Sequence, residues 1–231
     1  MTRSKLLQDF QRDGFAVLLR FLNETALQAL TEACSPIDHD YGVRNVLARF
    51  PAIRAALPWH DIRDVLHQID LRDAVAVRSL FFNKNAEHNW LVPWHQDTSL
   101  CVREKSATSG FSKWTQKSGM HHVEPPAELL QSMCTLRFAI DDAPLDNGAL
   151  RVIPGSHLLG KLSAADIADA SMHRTQIHCT MQRGDVLLMR PLLLHASDKA
   201  LHAQNRRVLH LEMSASILPP PMQWAEISTA E

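Results

Sequence analysis

Apolar residues recur at helical spacing early in the chain and in short strand-like runs later. Between Ser4 and Arg12, Leu6, Leu7 and Phe10 have helical spacing. Gly14 breaks that pattern before Phe15-Ala16-Val17-Leu18-Leu19, which predicts a short strand. Asn23 is an N-cap residue for a helix through Ala26, Leu27, Leu30 and Ala33, and Pro36 lies just past its end. Residues 37–72 read as loop with short helices, around Ile53 to Leu57 and Trp59 to Gln68. The helical part is expected to be concentrated before residue 73.

The texture then changes. Ala74 to Phe82 is rich in β-formers and too short for a confident helix. Further strand-like runs are Met133 to Ile140, Ala149 to Ile153, Thr175 to Cys179, Asp185 to Met189 and Arg207 to Met213. Turn signals separate them, among them Asp146-Asn147-Gly148, Pro154-Gly155-Ser156 and Arg183-Gly184-Asp185. Several short strands at regular spacing predict a sandwich or barrel, and a double-sheet jelly roll leaves room for a site between its sheets. The expected fold is therefore mainly β with flanking helices: a jelly-roll (double-stranded β-helix, cupin-like) core over residues 73–215, supported by a mainly helical part over 1–72. One domain spanning 1–231 is expected.

Residues 103–126 form the one long stretch without a clear period. They hold Phe111, Trp114, four basic residues (Arg103, Lys105, Lys113, Lys117) and the pair His121-His122. A long loop in a compact domain is usually functional or disordered, and here a lid able to offer positive charge to an anionic substrate is expected.

Composition narrows the function class. With 45% hydrophobic residues in 231 and no long apolar run, the chain fits a soluble domain with its own core. A formal net charge of -1 argues against nucleic acid or an anionic membrane as the main partner. The first residues lack the apolar run of a signal peptide and no stretch reaches the length of a membrane span, so a cytoplasmic protein is expected. Cys34, Cys101, Cys134 and Cys179 have no Cys-x-x-Cys spacing, which suggests buried thiols rather than disulfides or a thiolate zinc site.

The candidate chemistry begins at Val92-Pro93-Trp94-His95-Gln96-Asp97. A histidine and a carboxylate two residues apart on a strand or its end point the same way and can share one metal ion. Two imidazoles and one carboxylate on one face of an octahedral ion leave the opposite face open, as in non-haem Fe(II) oxygenases. His195 is the natural second imidazole. Among 13 histidines a His-x-Asp tripeptide arises readily by chance, and His210-Leu211-Glu212 has the same spacing in mid-strand. His95 and Asp97 are preferred because they enter a long segment, where open coordination positions can face a cavity. Downstream, Arg206-Arg207 opens the last strong strand, and only one of the two can point inward. A guanidinium there is suited to clamping the far carboxylate of a chelating oxo-acid, while the residues taken alone read first as two surface arginines opening an edge strand.

Pro93 to Asp97, Asp146 to His157, Gly184-Asp185, His195-Ala196-Ser197 and Arg206 together resemble the phytanoyl-CoA dioxygenase family of Fe(II)/2-oxoglutarate oxygenases. The likeness runs from about Val75 to Met213 with the motifs in the family's order. It implies His95, Asp97 and His195 as iron ligands, and Arg206 as the residue binding the distal carboxylate of 2-oxoglutarate. Arg206 is chosen over Arg207 because its distance from His195 matches the family's spacing. Ser197 falls where the family has a hydroxyl contacting that carboxylate. Arg137 falls where some members carry an aromatic residue beside 2-oxoglutarate, and it is grouped with Thr135 as cofactor-binding. Trp114, Phe111, Lys113 and Gln96 are the candidate substrate residues, with Trp90 as a further apolar wall. The implied cofactors are Fe(II), 2-oxoglutarate and O2, and the implied reaction is C–H hydroxylation of a small, anionic organic molecule with release of succinate and CO2. A retained Asp97 disfavours halogenation. The alternatives are a non-catalytic or other-metal jelly-roll binding protein and a protein or peptide hydroxylase.

Overall fold

A computed structural model describes residues 3–201 and 205–227. The first helix, α1 (Arg3–Asp13), stops at Gly14, whose φ of +81° suits glycine. A Cβ there would also lie 2.3 Å from Nδ1 of His157. The chain turns directly into β1 (Phe15–Leu18). Asn23 then caps α2 (Glu24–Cys34), its side chain accepting from the Ala26 N–H at 2.9 Å. A short strand β2 (Gly42–Arg44) and helices α3 (Val46–Arg49), α4 (Pro51–Ala56) and α5 (Trp59–Gln68) complete the helical part. Sequence reading places α4 and α5 closely but misses β2, a three-residue strand recognisable only by its partner.

The β part runs through β3 (Val75–Lys84), β4 (Val92–His95), β5 (Leu100–Val102), β6 (Ser112–Lys117) and β7 (Met120–Glu124). A short α6 (Ala127–Gln131) leads to β8 (Cys134–Ala139) and β9 (Leu150–Val152). Then come α7 (Ala164–His173), β10 (Ile177–Cys179), β11 (Val186–Met189), β12 (His195–Ser197) and β13 (Arg206–Ser214). Helix is thus not confined to the part before residue 73. Ser163 and Asp166 close a capping box on α7, a signal present in the sequence as Ser-Ala-Ala-Asp.

Two antiparallel sheets face each other as a jelly roll. The larger has the order β1-β11-β8-β13-β3-β2 and the smaller β10-β9-β12-β4. Alternation along the large sheet sorts its side chains: Leu136, Phe138, Leu209 and Leu211 pack with Leu30, Ile62 and Leu66 of the helices. Arg137 and His210 alternate with them and Glu212 follows Leu211, and all three point to the other face, towards the smaller sheet. Burying each large apolar side chain contributes about 1.5–3 kcal/mol, so the helices hold one face of this sheet and leave the other for chemistry.

The stretch 103–126 is not an aperiodic loop. β6 and β7 form a hairpin whose tip carries Ser118 and Gly119 at positive φ, and β5 adds to it as a third sheet. Its strands are short and polar on the exposed side, so no period is visible along the sequence. Among the described residues, no helix is long and apolar enough to cross a membrane, and all four cysteines are buried and free.

Candidate metal centre and its anion pocket

Strand pairing brings the two imidazoles together. β12 pairs antiparallel with β4 so that His195 stands opposite His95, and a register shift between His195 and Ser197 marks a bulge beside them. Their ring centroids are 4.1 Å apart. Asp97 follows just past the end of β4, where its N–H donates to the Pro191 carbonyl at 2.8 Å. Oδ1 of Asp97 lies 3.8 Å from Nε2 of His95, and Oδ2 lies 3.7 Å from Nε2 of His195. These separations are too long for hydrogen bonds.

Each imidazole is oriented by its other nitrogen. Nδ1 of His95 is 2.8 Å from the Pro93 carbonyl and Nδ1 of His195 is 2.9 Å from the Leu193 carbonyl. A carbonyl only accepts, so both rings carry their proton on Nδ1 and turn a free Nε2 lone pair towards Asp97. Oδ2 of Asp97 is buried without a hydrogen-bond partner. Burial pushes the His195 imidazole down to about 4 against the pull of Asp97, keeping it neutral. Burial opposes ionisation of Asp97, but the surrounding imidazoles of His195, His95 and His210 and the Arg78 guanidinium favour it and hold the carboxyl at about 2. Two imidazoles and one carboxylate, with ligand atoms all within 4.8 Å of one another, are a donor set fitted to a divalent cation.

The lowered imidazoles carry a pH prediction. His122, buried beside Cys101, is likewise pushed to about 4, first by burial and then by Arg78. An imidazole depressed on folding contributes stability that is present above its unfolded value near 6.5 and lost as pH falls towards 4. The metal-free protein is expected to lose up to about 1.4 kcal/mol per pH unit for each such imidazole in that window. Chemical denaturation at pH 7, 6 and 5 checks this, and His122→Leu should flatten the slope; an unchanged slope would refute the role of His122.

On the facing sheet, β8 and β13 line the cavity with Arg137 and Arg206, and β3 ends in a third buried basic side chain, Lys84. Lys84 donates to Ser197 Oγ at 2.8 Å and to the Asp198 carbonyl at 2.7 Å, and Arg206 donates to the carbonyl of Gly148. Gly148 has φ +67°, and a Cβ there would lie 2.8 Å from the Asp198 carbonyl oxygen. Arg137 donates to Nδ1 of His210 at 2.9 Å. No carboxylate touches any of the three among the described residues. Burial, then Arg206 and Arg137, lower Lys84 to about 7; burial, then Arg137, lower Arg206 to about 9. Nε of Arg137 and Nε of Arg206 are buried without partners. The guanidiniums of Arg137 and Arg206, with Lys84 bound to the lining residue Ser197, gather positive charge that no carboxylate among the described residues meets, an arrangement suited to an anion. Glu212 does not fill that need, because Arg78 binds it at 2.8 Å.

The cavity enclosed by these groups has a volume of about 260 Å3 and is lined by His95, Asp97, His195, Ser197, Arg137 and Arg206, together with Trp90. Of the groups singled out from sequence, the structure gathers His95, Asp97, His195, Ser197, Arg137, Arg206 and Trp90 around this cavity and leaves five outside it. Thr135 shares the inner face of β8 but lies opposite Glu212 and outside the cavity lining. Phe111 and Trp114 pack against the apolar cluster of Leu100, Val102 and Val123, and Lys113 pairs with Glu124 at 2.9 Å on the surface. Gln96 points away from Asp97, as strand alternation requires. It donates to the carbonyls of Gly160 and Leu192 and accepts from the Leu162 N–H. Gln96→Leu should therefore cost about 2–3 kcal/mol of stability while leaving metal affinity intact, checked by denaturation and metal titration. Arg207, in contrast to Arg206, leaves the cavity and pairs with Asp38 at 2.8 Å and Asp141 at 2.7 Å.

Sequence reading singled out neither Lys84 nor Arg78, and it set His210 and Glu212 aside as a mid-strand pair, although both line the cavity. Lys84 ends β3 opposite Arg206 in antiparallel register, a pairing that the sequence alone does not show.

Known proteins resemble the chain in both sequence and shape. A bovine (Bos taurus) protein described as phytanoyl-CoA dioxygenase domain-containing protein 1 is 24% identical over 195 residues, 76% of this chain, and the chain spans only 58% of that relative's length. AviO1 from Streptomyces viridochromogenes Tue57 superposes with a TM-score of 0.70 at 21% identity, covering 95% of this chain and 97% of that one. The epimerase SnoN in complex with Fe3+, alpha ketoglutarate and nogalamycin RO gives 0.72 at 13% identity, covering 98% and 94%. EctD from S. alaskensis with 2-oxoglutarate and 5-hydroxyectoine gives 0.71 at 16% identity, covering 93% and 76%. The family model for phytanoyl-CoA dioxygenase (PhyH) matches residues 10–208, and the chain belongs to that family.

Proposed function

We propose that this chain is an Fe(II)- and 2-oxoglutarate-dependent oxygenase that hydroxylates a C–H bond of a small organic molecule. One observation carries the reading. A face of two Nε2 lone pairs and an unpartnered carboxylate oxygen opens into the same cavity as the Arg137 and Arg206 guanidiniums, which no carboxylate among the described residues touches, and Lys84 reaches that cavity's lining through Ser197. A metal chelated by a dianionic oxo-acid answers both needs at once, and family membership and the ligands named for SnoN and EctD support this choice.

In this reading His95, Asp97 and His195 hold the iron. Arg206 and Lys84 receive the distal carboxylate of 2-oxoglutarate, with the Ser197 hydroxyl fixed between them by Lys84. When bound, iron and 2-oxoglutarate supply the oxidising power drawn from O2, with succinate and CO2 as co-products. The protein orients and excludes water. Arg137 fixes the His210 tautomer, because a guanidinium only donates and so the His210 proton sits on Nε2, 3.6 Å from Glu212. Arg78 neutralises Glu212 and keeps a second carboxylate from competing for the metal.

Succinate formation from 2-oxoglutarate by the Fe(II)-loaded protein under air tests the activity. Succinate above the metal-free control supports the oxygenase. Its absence, with iron and 2-oxoglutarate demonstrably bound, would favour a binding protein of the same fold.

A further inference from the structure

A larger cavity of about 660 Å3 adjoins the metal pocket, and Arg44, Leu80, Phe82 and Trp90 line both. Its size suits a drug-sized ligand. The hairpin read from sequence as a lid touches it only at its tip, through Ser118. The entrance is built instead from residues 40–49 and 88–90.

Two features of this vestibule point to a ligand class. Arg44, on β2 opposite Leu80, is half-buried, and its guanidinium makes no hydrogen bond or ion pair with any described residue. The nearby acid Glu212 is already held by Arg78, and Asp40, the one carboxylate lining the vestibule, lies 3.9 Å from His39. Arg49 adds a second guanidinium, which reaches the Arg44 carbonyl at 3.4 Å. Positive charge here exceeds the negative charge that the described residues offer it. The walls are aromatic: Tyr41 is 60% exposed, stacks on His88 at 5.2 Å and meets Trp90 edge-on at 6.1 Å. An exposed ring cluster beside an unpaired guanidinium offers stacking and a charge-assisted bond to one molecule.

We propose that the vestibule takes the substrate as an organic anion with a flat, ring-bearing apolar body, its acidic group on Arg44 and its ring against Trp90, Phe82 and Tyr41. Because Arg44 stands where the two cavities join, the acidic group lies near the reacting end of the molecule rather than at its outer end. The inference rests on the oxygenase reading, since it takes the metal pocket as the place of reaction.

The test is anaerobic calorimetry on protein saturated with Fe(II) and 2-oxoglutarate, so that the Lys84 and Arg206 pocket is filled. The probes are 2-naphthoate and its neutral counterpart 2-naphthamide. Wild type should bind naphthoate, Arg44→Gln should weaken it about tenfold or more, and naphthamide should bind weakly and equally to both. Trp90→Ala should weaken both probes. The visible band of the iron–oxo-acid chelate, retained in Arg44→Gln, shows that fold and cofactor site survive. With that band present, no naphthoate binding to wild type, or equal binding to wild type and Arg44→Gln, overturns the anion inference alone. A wild type without the band overturns it together with the oxygenase reading.

Discussion

Asp97→Ala is expected to weaken Fe(II) binding by roughly 100-fold or more and to reduce 2-oxoglutarate turnover to background. Loss of a group that merely supports a ligand already costs 10–100-fold in affinity, and Asp97 is the only anion of the set. The two imidazoles would remain oriented by the carbonyls of Pro93 and Leu193, so the variant should stay folded and bind divalent metal only weakly. Metal content after dialysis against a weak chelator reads the effect. Retention of stoichiometric iron by Asp97→Ala would place the metal elsewhere.

Arg206→Met is expected to raise the dissociation constant for 2-oxoglutarate by roughly 10–150-fold, the equivalent of one charge-assisted bond of about 1.5–3 kcal/mol. Iron binding should be unaffected. Lys84→Met separates function from stability, because its two effects have opposite signs. An amine depressed to about 7 on folding contributes a penalty that is nearly full at neutral pH and fades as pH rises towards its unfolded value near 10.4. Removing that penalty should raise the melting temperature of the metal-free protein by a few degrees, where about 1 kcal/mol corresponds to roughly 2–4 °C, despite two lost hydrogen bonds. The same change should weaken 2-oxoglutarate. A Lys84→Met variant that melts lower and binds 2-oxoglutarate normally would mean that Lys84 is only a structural residue.

Much of this site was legible because its groups obey strand alternation. His95 and Asp97 share a direction, Gln96 between them does not, and Arg206 and Arg207 divide inward and outward by the same rule. Applied consistently, that rule would have excluded Gln96 as a substrate residue from sequence alone. The jelly roll was readable because each long strand is flanked by Gly, Asp or Asn turn signals. What could not be read depends on pairing across long separations. Lys84 meets Ser197 across 113 positions, and Arg78 meets Glu212 across 134. β2 is only three residues long, yet it places Arg44 at the vestibule. The stretch 103–126 misled for a different reason. Its aromatics and basic residues look like substrate groups in sequence, but they serve a hairpin with its own small apolar cluster and surface ion pair.

Anaerobic titration of the metal-free protein with Fe(II) and 2-oxoglutarate is the most direct test of the cofactor site. A weak visible charge-transfer band that saturates at equimolar iron is expected. It should be lost in Asp97→Ala and should require far more 2-oxoglutarate in Arg206→Met. Iron bound without the band, or a band indifferent to both substitutions, would contradict the assignment of these residues.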